Sequence, residues 1–212
     1  MKYTPDVFVG LDQAERSGWC IVAKGAVQAH GVTKDHLGIV AAFEAVQRLC
    51  EGNLTRVLVV LEEHGGHLYN AGKSFQRNPK SLVSLGAARG WWEHEFGRAG
   101  HPESLCLRVT SADWRLRVLG ARNSLGTERL KALAVQWAAG RAVHPIEDDN
   151  EAEAIAIASW AALDGVARLE QRRTVGRIKA RDKRGAAKQL GLPDMPRAKT
   201  SGRVASSNNG RF

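Results

Sequence analysis

The chain has few of the residues and patterns that mark secreted, zinc-binding or membrane proteins. Its three cysteines, Cys20, Cys50 and Cys106, are widely spaced and form no CxxC pair, which argues against a disulfide framework or a zinc site. No stretch approaches the roughly 18 apolar residues of a membrane helix, and the start MKYTPDVFVGLD lacks the basic and apolar regions of a signal peptide. We therefore expect a cytoplasmic protein with no membrane partner.

Positive charge is concentrated toward the C-terminal end of the chain. The formal net charge is +9, and residues 168–212 alone hold 13 Lys and Arg against three acids. Residues 1–167 hold 18 basic and 19 acidic side chains. The hydrophobic fraction of the whole chain, 43%, is enough for a core. We predict a globular domain over 1–167 and a basic, largely disordered tail over 168–212. A basic arm of this kind indicates nucleic-acid binding, and the alternative is a solubilising tail.

Apolar periodicity predicts an α/β protein with a mixed central sheet flanked by helices, because strand patterns lead the chain and helical patterns follow between later strands. The apolar run at 56–63 indicates a strand that is covered on both faces. The predicted strands cover 6–12, two segments within 18–31 joined by a turn near Lys24–Gly25, 56–63 and 104–110. The predicted helices cover 33–52 with a cap at Thr33, 81–96, 125–140 with a cap at Thr127, and 149–166, and the composition of 64–80 is typical of a loop.

Three acidic residues lie where this arrangement would bring them together. Asp12 ends the first predicted strand, Glu62 ends the buried strand, and Glu153 lies early on the last helix. The segment EDDNEAEAIAIASWAA begins that helix with several acids, and capping by Asp148 or Asp149 explains the first of them. Capping does not explain Glu153, because a carboxylate among apolar residues is unfavourable unless it is paired or binds a metal. Ligands gather beyond strand ends in open sheets, so we expect the three acids to meet there.

Four motifs, in the same order along the chain, resemble those of RuvC-type Holliday junction resolvases, which belong to the RNase H-like superfamily. The segment FVGLDQAERSGWCIV resembles the family's opening, in which a strand ends in Asp and a Gly-aromatic pair begins the next strand. VLVVLEE resembles the second acidic motif, SLVSLGAARG the helix that follows it, and NEAEAIAIASWAA the final helix. The resemblance spans residues 6–166 and implies the RNase H-like fold.

The resemblance also implies a chemistry. It implies an endonuclease that cuts four-way DNA junctions by paired nicks, acts as a homodimer, and uses two Mg²⁺ ions, for which Mn²⁺ can substitute. Asp12 would bridge the ions, and Glu62 and Glu153 would hold one each. Oxygen ligands suit these hard cations, and two ions about 4 Å apart stabilise the attacking and leaving oxygens of phosphodiester hydrolysis.

The acidic helix departs from the family pattern. The family's last helix often has two Asp residues three positions apart, where this chain has Asn150 and Glu153. Asp149 lies one helical turn before Glu153 and shares its face, so Asp149 and Asn150 are both candidates for a fourth metal ligand, with Asp149 favoured. The sequence DQA that begins at Asp12 replaces the usual Asp-Pro-Gly, a variant typical of phage-type members, and it favours a bacterial or phage-infected host cytoplasm.

Basic residues after the second acidic motif are candidates for contact with DNA. The resemblance implies that basic residues within 111–131 approach the scissile strand, and Arg129 or Lys131 would stabilise the pentacovalent phosphorus as a catalytic cation. The alternative for each is a solvated basic helix face. The DNA-binding candidates are Lys73, Arg89, Arg115, Arg117 and Arg122.

Two other functions remain open from the sequence. The RNase H-like fold supports nucleases that cut flaps, forks or RNA–DNA hybrids, so the substrate could differ from a junction. A catalytically inactive module that binds junctions is the second alternative, and Asn150 in place of an acid favours it. The retention of Asp12, Glu62 and Glu153 favours an active enzyme. We therefore expect a Mg²⁺-dependent endonuclease that acts on four-way junctions or related branched DNA.

Overall fold

The structure, a computed structural model, describes residues 4–63 and 79–176, with side chains from residue 86 onward in the second range. Lys73 and most of the predicted loop 64–80 lie outside these residues. Within the part of the chain that is described, no helix is long and apolar enough to cross a membrane.

The chain divides into two units, residues 1–171 and 172–212. Residues 166–171 are helical, and so is the described part of the second unit, 172–176. The beginning of the predicted tail is therefore helical, and its remainder lies outside the described residues.

A single five-stranded sheet is built from β1 (Val7–Asp12), β2 (Ser17–Ala23), β3 (Ala26–Thr33), β4 (Val57–Glu62) and β5 (Cys106–Val109). The strand order is β3-β2-β1-β4-β5. The first three strands pair in antiparallel fashion, whereas β1 pairs with β4, and β4 with β5, in parallel. This confirms the predicted mixed sheet and places β1 and β4 side by side with their carboxyl ends at the same edge.

Two local predictions about the strands are confirmed. Lys24 and Gly25 form the turn between β2 and β3, with φ angles of 53° and 77°. Two consecutive positive φ values suit the tight turn of a two-residue hairpin. All six residues of β4 are buried, as expected for a strand that is covered on both faces.

Besides the helical segment 166–176, the described residues form α1 (His36–Leu49), α2 (Pro79–Arg98), α3 (Ser111–Trp114), α4 (Thr127–Ala139) and α5 (Asp149–Trp160). Two predicted caps are wrong. Asp35 rather than Thr33 caps α1 and accepts a hydrogen bond from the Gly38 backbone N–H at 2.8 Å, because the chain enters the helix two residues later than the pattern indicated. Thr127 is the first residue of α4, where its side chain makes no capping hydrogen bond.

The helices cover the two faces of the sheet with separate apolar clusters. On one face, Phe43 of α1 and Trp92 of α2 pack in a cluster with Val9 and Ile21. On the other face, Ile155 of α5 packs with strand residues that include Cys20. The sheet is therefore the middle layer of a three-layer α/β domain.

Helix α5 lies unusually close to β1 and β2 because two glycines face it. A Cβ atom on Gly10 would overlap backbone atoms of Ala154 and Ala158, and a Cβ atom on Gly18 would overlap the backbone of Asn150. These contacts are with backbone rather than with flexible side chains, so the sheet positions must stay free of side chains. The close approach brings the first turn of α5 to the end of β1.

We predict that Gly10→Ala destabilises the protein by about 1–3 kcal/mol, the usual range for forcing extra volume into a packed core. The matched control is Gly97→Ala, because Gly97 lies on α2 with open space around its Cα. That change should stabilise the protein by roughly 0.5–1 kcal/mol through helix propensity. Urea unfolding of both variants measures the two effects, and equal stability of Gly10→Ala and wild type would contradict the close-packing account.

A buried carboxylate cluster at the edge of the sheet

Three carboxylates from three elements meet at the carboxyl ends of β1 and β4. Each of Asp12, Glu62 and Glu153 offers a ligand oxygen, and these oxygens all lie within 4.8 Å of one another. The three residues are 3%, 5% and 6% exposed, so the cluster is almost completely removed from solvent. The structure thus brings together the three acids that the sequence placed at two strand ends and on the last helix.

Backbone pairing explains how two of these acids become neighbours. The parallel register aligns Leu11 with Leu61, so the next residues, Asp12 and Glu62, leave adjacent strands at the same level. Glu153 reaches the cluster from α5, because this helix packs closely on β1 and β2.

Glu62 is held in place, whereas its neighbour Glu63 faces solvent. The Ser111 hydroxyl at the start of α3 donates a hydrogen bond to Glu62 Oε1. Glu63 is exposed, and its backbone N–H donates to the Val109 carbonyl at 2.7 Å, which continues the pairing of β4 with β5. The alternation of side chains along the strand therefore selects Glu62 as the inward acid.

Burial and mutual repulsion disfavour negative charge in this cluster. Burial, followed by the charges of Glu62 and Glu153, raises the pKa of Asp12 well above its usual value. Burial also raises the pKa of Glu153, although the guanidinium of Arg115 opposes that shift. Three buried acids that repel one another are stable in their ionised form only when positive charge is added between them.

Arg115 supplies part of that positive charge. Its Nη2 atom donates to Glu153 Oε1 at 2.7 Å, and its side chain is only 14% exposed. The guanidinium also lies over the ring of Trp114, 5.0 Å from the centroid. Arg115 begins a π-helical turn, Arg115–Leu119, and such turns often occur at functional sites. This contact with Glu153 was not foreseen from the sequence.

The structure separates the two candidates for a fourth ligand. Asp149 pairs with Lys131 at 2.7 Å, and its charge contributes to raising the pKa of both Asp12 and Glu153. The same ion pair raises the pKa of Lys131. Asn150 instead has its backbone against β2 and lines a surface pocket with Ala14, Glu15, Arg16 and Lys34. Asp149 therefore lies on the side of α5 that faces the cluster, whereas the backbone of Asn150 faces β2.

The other basic candidates are spread over the surface. Arg89 pairs with Glu93 at 2.7 Å, and Arg117 pairs with Asp164 at 2.7 Å. Arg122 and Arg129 are exposed. Of the candidate cations that the structure describes, Arg115 and Lys131 are the two held by acids at or beside the buried cluster.

A second group of potential ligands, His30, His144 and Glu151, lies on the opposite side of α5. No motif in the sequence indicated this group. The sequence feature that could have indicated the group is Glu151, an acid two positions before Glu153 in a helix rich in Ala and Ile. The ring nitrogens of His30 are both engaged in hydrogen bonds, to Glu151 and to backbone N–H groups, so this group forms a satisfied polar network.

The donor set of the first cluster fits a hard divalent cation. Three carboxylates at a sheet edge provide oxygen ligands of the kind that Mg²⁺ and Mn²⁺ prefer, with Asp149 near enough to act on the cluster electrostatically. A divalent cation would also remove the repulsion that raises the pKa of Asp12. The burial, the chemistry of the donors and the excess negative charge all favour such an ion.

Comparison with known proteins identifies the fold. The sequence matches no protein-family profile and none of the curated proteins. Among solved structures, Thermus thermophilus RuvC is similar with a TM-score of 0.52 at 19% identity, over 75% of this chain and 95% of that one. T. thermophilus RuvC in complex with Holliday junction substrate is similar with a TM-score of 0.52 at 16% identity, over 77% and 96% of the two chains. The chain thus has a RuvC-like fold, a mixed sheet flanked by helices, as the motifs implied.

Proposed function

We propose that this protein is a Mg²⁺-dependent endonuclease that resolves Holliday junctions or closely related branched DNA by paired nicks. The observation that carries the proposal is the buried cluster of Asp12, Glu62 and Glu153 at the sheet edge of a RuvC-like fold. A similar structure is that of RuvC bound to a Holliday junction substrate, which supports branched DNA as the ligand. The products would carry 5′-phosphate and 3′-hydroxyl ends.

The three acids are suited to hold two divalent cations, Mg²⁺ or Mn²⁺. Asp12 would contact both ions, while Glu62 and Glu153 would hold one each and Asp149 would be the fourth ligand. Two such cations stabilise the attacking and leaving oxygens of phosphodiester hydrolysis. The Ser111 hydroxyl keeps Glu62 oriented, as outer hydrogen bonds do for many metal ligands.

Basic residues around the cluster would bind and orient the phosphate. Arg115 contacts Glu153 and would be within reach of a phosphate there, where its planar group suits two phosphate oxygens. Lys131 is placed beside Asp149 and would stabilise the negative charge that develops on phosphorus, with Arg129 as the other candidate. Arg89, Arg117 and Arg122, with Lys73 and the basic tail, would contact the DNA backbone.

Two copies of the chain would act together. A four-way junction has approximate two-fold symmetry, so a homodimer with a two-fold axis presents two sites to symmetric strands. The DQA sequence that begins at Asp12 favours a phage-type protein that works in a bacterial cytoplasm.

We predict that Asp12→Asn abolishes cleavage of a labelled four-way junction while junction binding persists. Asn keeps the shape of the side chain but removes the central charge, so the rate should fall by at least about 100-fold, the upper end of the loss seen when an outer-shell partner is removed. Denaturing gels measure paired nicks in Mg²⁺ and in Mn²⁺. The matched control is Glu63→Gln, which removes a charge from the exposed neighbour of Glu62 and should cleave like wild type.

The contrary results have separate meanings. Binding without cleavage by wild type in either metal would favour the inactive junction-binding module. Faster cleavage of a flap, a fork or an RNA–DNA hybrid than of a fixed junction would keep the nuclease and change its substrate.

We predict that the same Asp12→Asn change stabilises the metal-free protein. Because the folded-state pKa of Asp12 is raised, the folded chain binds its proton more tightly than the unfolded chain. The contribution of Asp12 to stability is therefore present below its ordinary pKa and is lost as the pH rises through the raised value. At pH 8 in EDTA, the variant should exceed wild type by about 1 kcal/mol in free energy of unfolding, and this gap should narrow toward pH 4.

Urea unfolding in EDTA and in excess Mn²⁺ provides the measurement. Metal at 100 times its dissociation constant should stabilise wild type by about 2.7 kcal/mol and stabilise the variant much less, which reverses their order. Greater stability of wild type than of Asp12→Asn in EDTA at pH 8 would contradict the repulsion account.

We predict that Asp149→Asn lowers the cleavage rate more than Asn150→Ala does. Asp149 lies on the cluster side of α5 and contributes negative charge to the cluster, whereas Asn150 lines a surface pocket with residues that include Arg16 and Lys34. The expected loss for Asp149→Asn is about 10- to 100-fold, with junction binding retained. Single-turnover rates on the same junction distinguish the two positions, and wild-type activity of Asp149→Asn would remove it from the ligand set.

A further inference from the structure

Helix α5 carries a second buried carboxylate, Glu151, that the proposed chemistry does not use. Glu151 is 0% exposed. Its Oε1 atom lies 2.6 Å from His30 Nδ1, and its Oε2 atom accepts a hydrogen bond from the Glu147 backbone N–H at 2.5 Å. The side chain is not needed to cap the helix, because Asp148 Oδ1 already accepts from the Glu151 backbone N–H at 3.0 Å.

His30 anchors this carboxylate to the edge strand of the sheet. His30 of β3 pairs with Cys20 of β2, which in turn pairs with Gly10 of β1, so the three positions form one row beneath α5. His30 Nε2 accepts from the Val143 backbone N–H at 3.0 Å. His30 Nδ1 must therefore carry the ring hydrogen, and it donates a hydrogen bond to Glu151. Both ring nitrogens are occupied, so His30 connects the strand, the loop before α5 and the helix.

His144 completes the network without disturbing it. Its ring lies 3.8 Å from the ring of His30, and its two nitrogens face the carbonyl oxygens of Pro145 and His30. The hydrogen bond to the Pro145 carbonyl is the main cause that raises the pKa of His144. Positive charge on this ring would partly offset the buried charge of Glu151.

The geometry of the helix links Glu151 to the buried carboxylate cluster of Asp12, Glu62 and Glu153. Successive residues in an α-helix are about 100° apart, so Glu151 and Glu153 project from nearly opposite sides of α5. A rotation of the helix by about 10° would move a carboxylate about 5–6 Å from the axis by roughly 1 Å. Functional groups must be held within about 0.5 Å, and Mg²⁺ requires near-ideal octahedral geometry. The rotation of α5 therefore decides whether Glu153 and Asp149 can reach a cation.

From these contacts we infer that Glu151 and His30 form a positioning pair that sets the rotation of α5 and thereby the metal affinity of the cluster. This inference rests on the proposed metal-dependent function. Gly10 and Gly18 fix how close the helix comes to the sheet, but backbone packing alone does not resist turning about the axis. The hydrogen bonds of Glu151 on one side, opposite the Arg115 pair of Glu153 on the other, add to the resistance of the surrounding side-chain packing.

The test measures Mn²⁺ binding to the full chain by calorimetry and by the electron paramagnetic resonance of free Mn²⁺. Glu151→Gln should weaken Mn²⁺ binding by about 10-fold or more, the range found for outer-shell partners. Glu147→Gln is the matched control, because it removes an exposed charge from the same segment while leaving the backbone N–H that bonds Glu151. It should bind Mn²⁺ within twofold of wild type. At saturating Mn²⁺, the cleavage rate of Glu151→Gln should recover most of the wild-type value.

His30→Asn tests the pair from the strand side. It should weaken Mn²⁺ binding to a similar extent, and the double variant should be no weaker than the single variants because both remove one interaction. Melting in EDTA shows which variants are folded at the temperature of the titration. Folded variants that bind Mn²⁺ within twofold of wild type would overturn the inference, as would loss of folding in both, which would show a structural role only.

The wild-type result separates this inference from the proposal beneath it. If wild type binds no Mn²⁺, or if Asp12→Asn binds as well as wild type, the metal centre itself is rejected. If wild type binds Mn²⁺ and Asp12→Asn does not, the result with Glu151→Gln bears on positioning alone.

Discussion

The repulsion among three buried carboxylates is the constraint on which the rest of the structure depends. Asp12, Glu62 and Glu153 are each at most 6% exposed and offer oxygens within 4.8 Å of one another. Such an arrangement is unfavourable by itself, and burial, followed by this repulsion, raises the pKa of Asp12. The surroundings offset it in part, through the guanidinium of Arg115 and the hydroxyl of Ser111. Proteins retain strained groups of this kind at sites where a ligand completes them.

Different sides of helix α5 make different contacts. The part of α5 that lies over Gly10 carries small residues, Ala154 and Ala158, because their backbone approaches the strand too closely for a side chain at position 10. A second side carries Glu153 to the cluster, and the opposite side carries Glu151 to the edge strand. The buried acids on opposite sides of α5 add directed hydrogen bonds to its apolar packing, so they contribute to its orientation as well as to its chemistry.

In the proposed nuclease, the basic candidates would exchange their acidic partners for phosphates, and burial sets how readily each could do so. Arg117 and Arg89 form exposed ion pairs with Asp164 and Glu93. Exposed pairs of this type contribute only about 0–1 kcal/mol, so a phosphate can replace the carboxylate at little loss. Arg115 is different because it is largely buried, and its exchange of Glu153 for a phosphate would be coupled to the arrival of positive charge in the cluster.

The sequence by itself determined the main strands and helices, and the strand ends at which Asp12 and Glu62 lie. The apolar runs predicted β1 and β4, each closing on an acid, and the position of Glu153 among apolar residues indicated a compensated carboxylate. Only the tertiary structure decided the partners of these acids. Arg115 lies 38 residues from Glu153, and His30 lies 121 residues from Glu151. It also placed Asp149 beside the cluster and the backbone of Asn150 against β2. Local periodicity reports which residues share a face, but the rotation and height of a helix on a sheet depend on packing between distant segments, and that packing sets which charged groups meet.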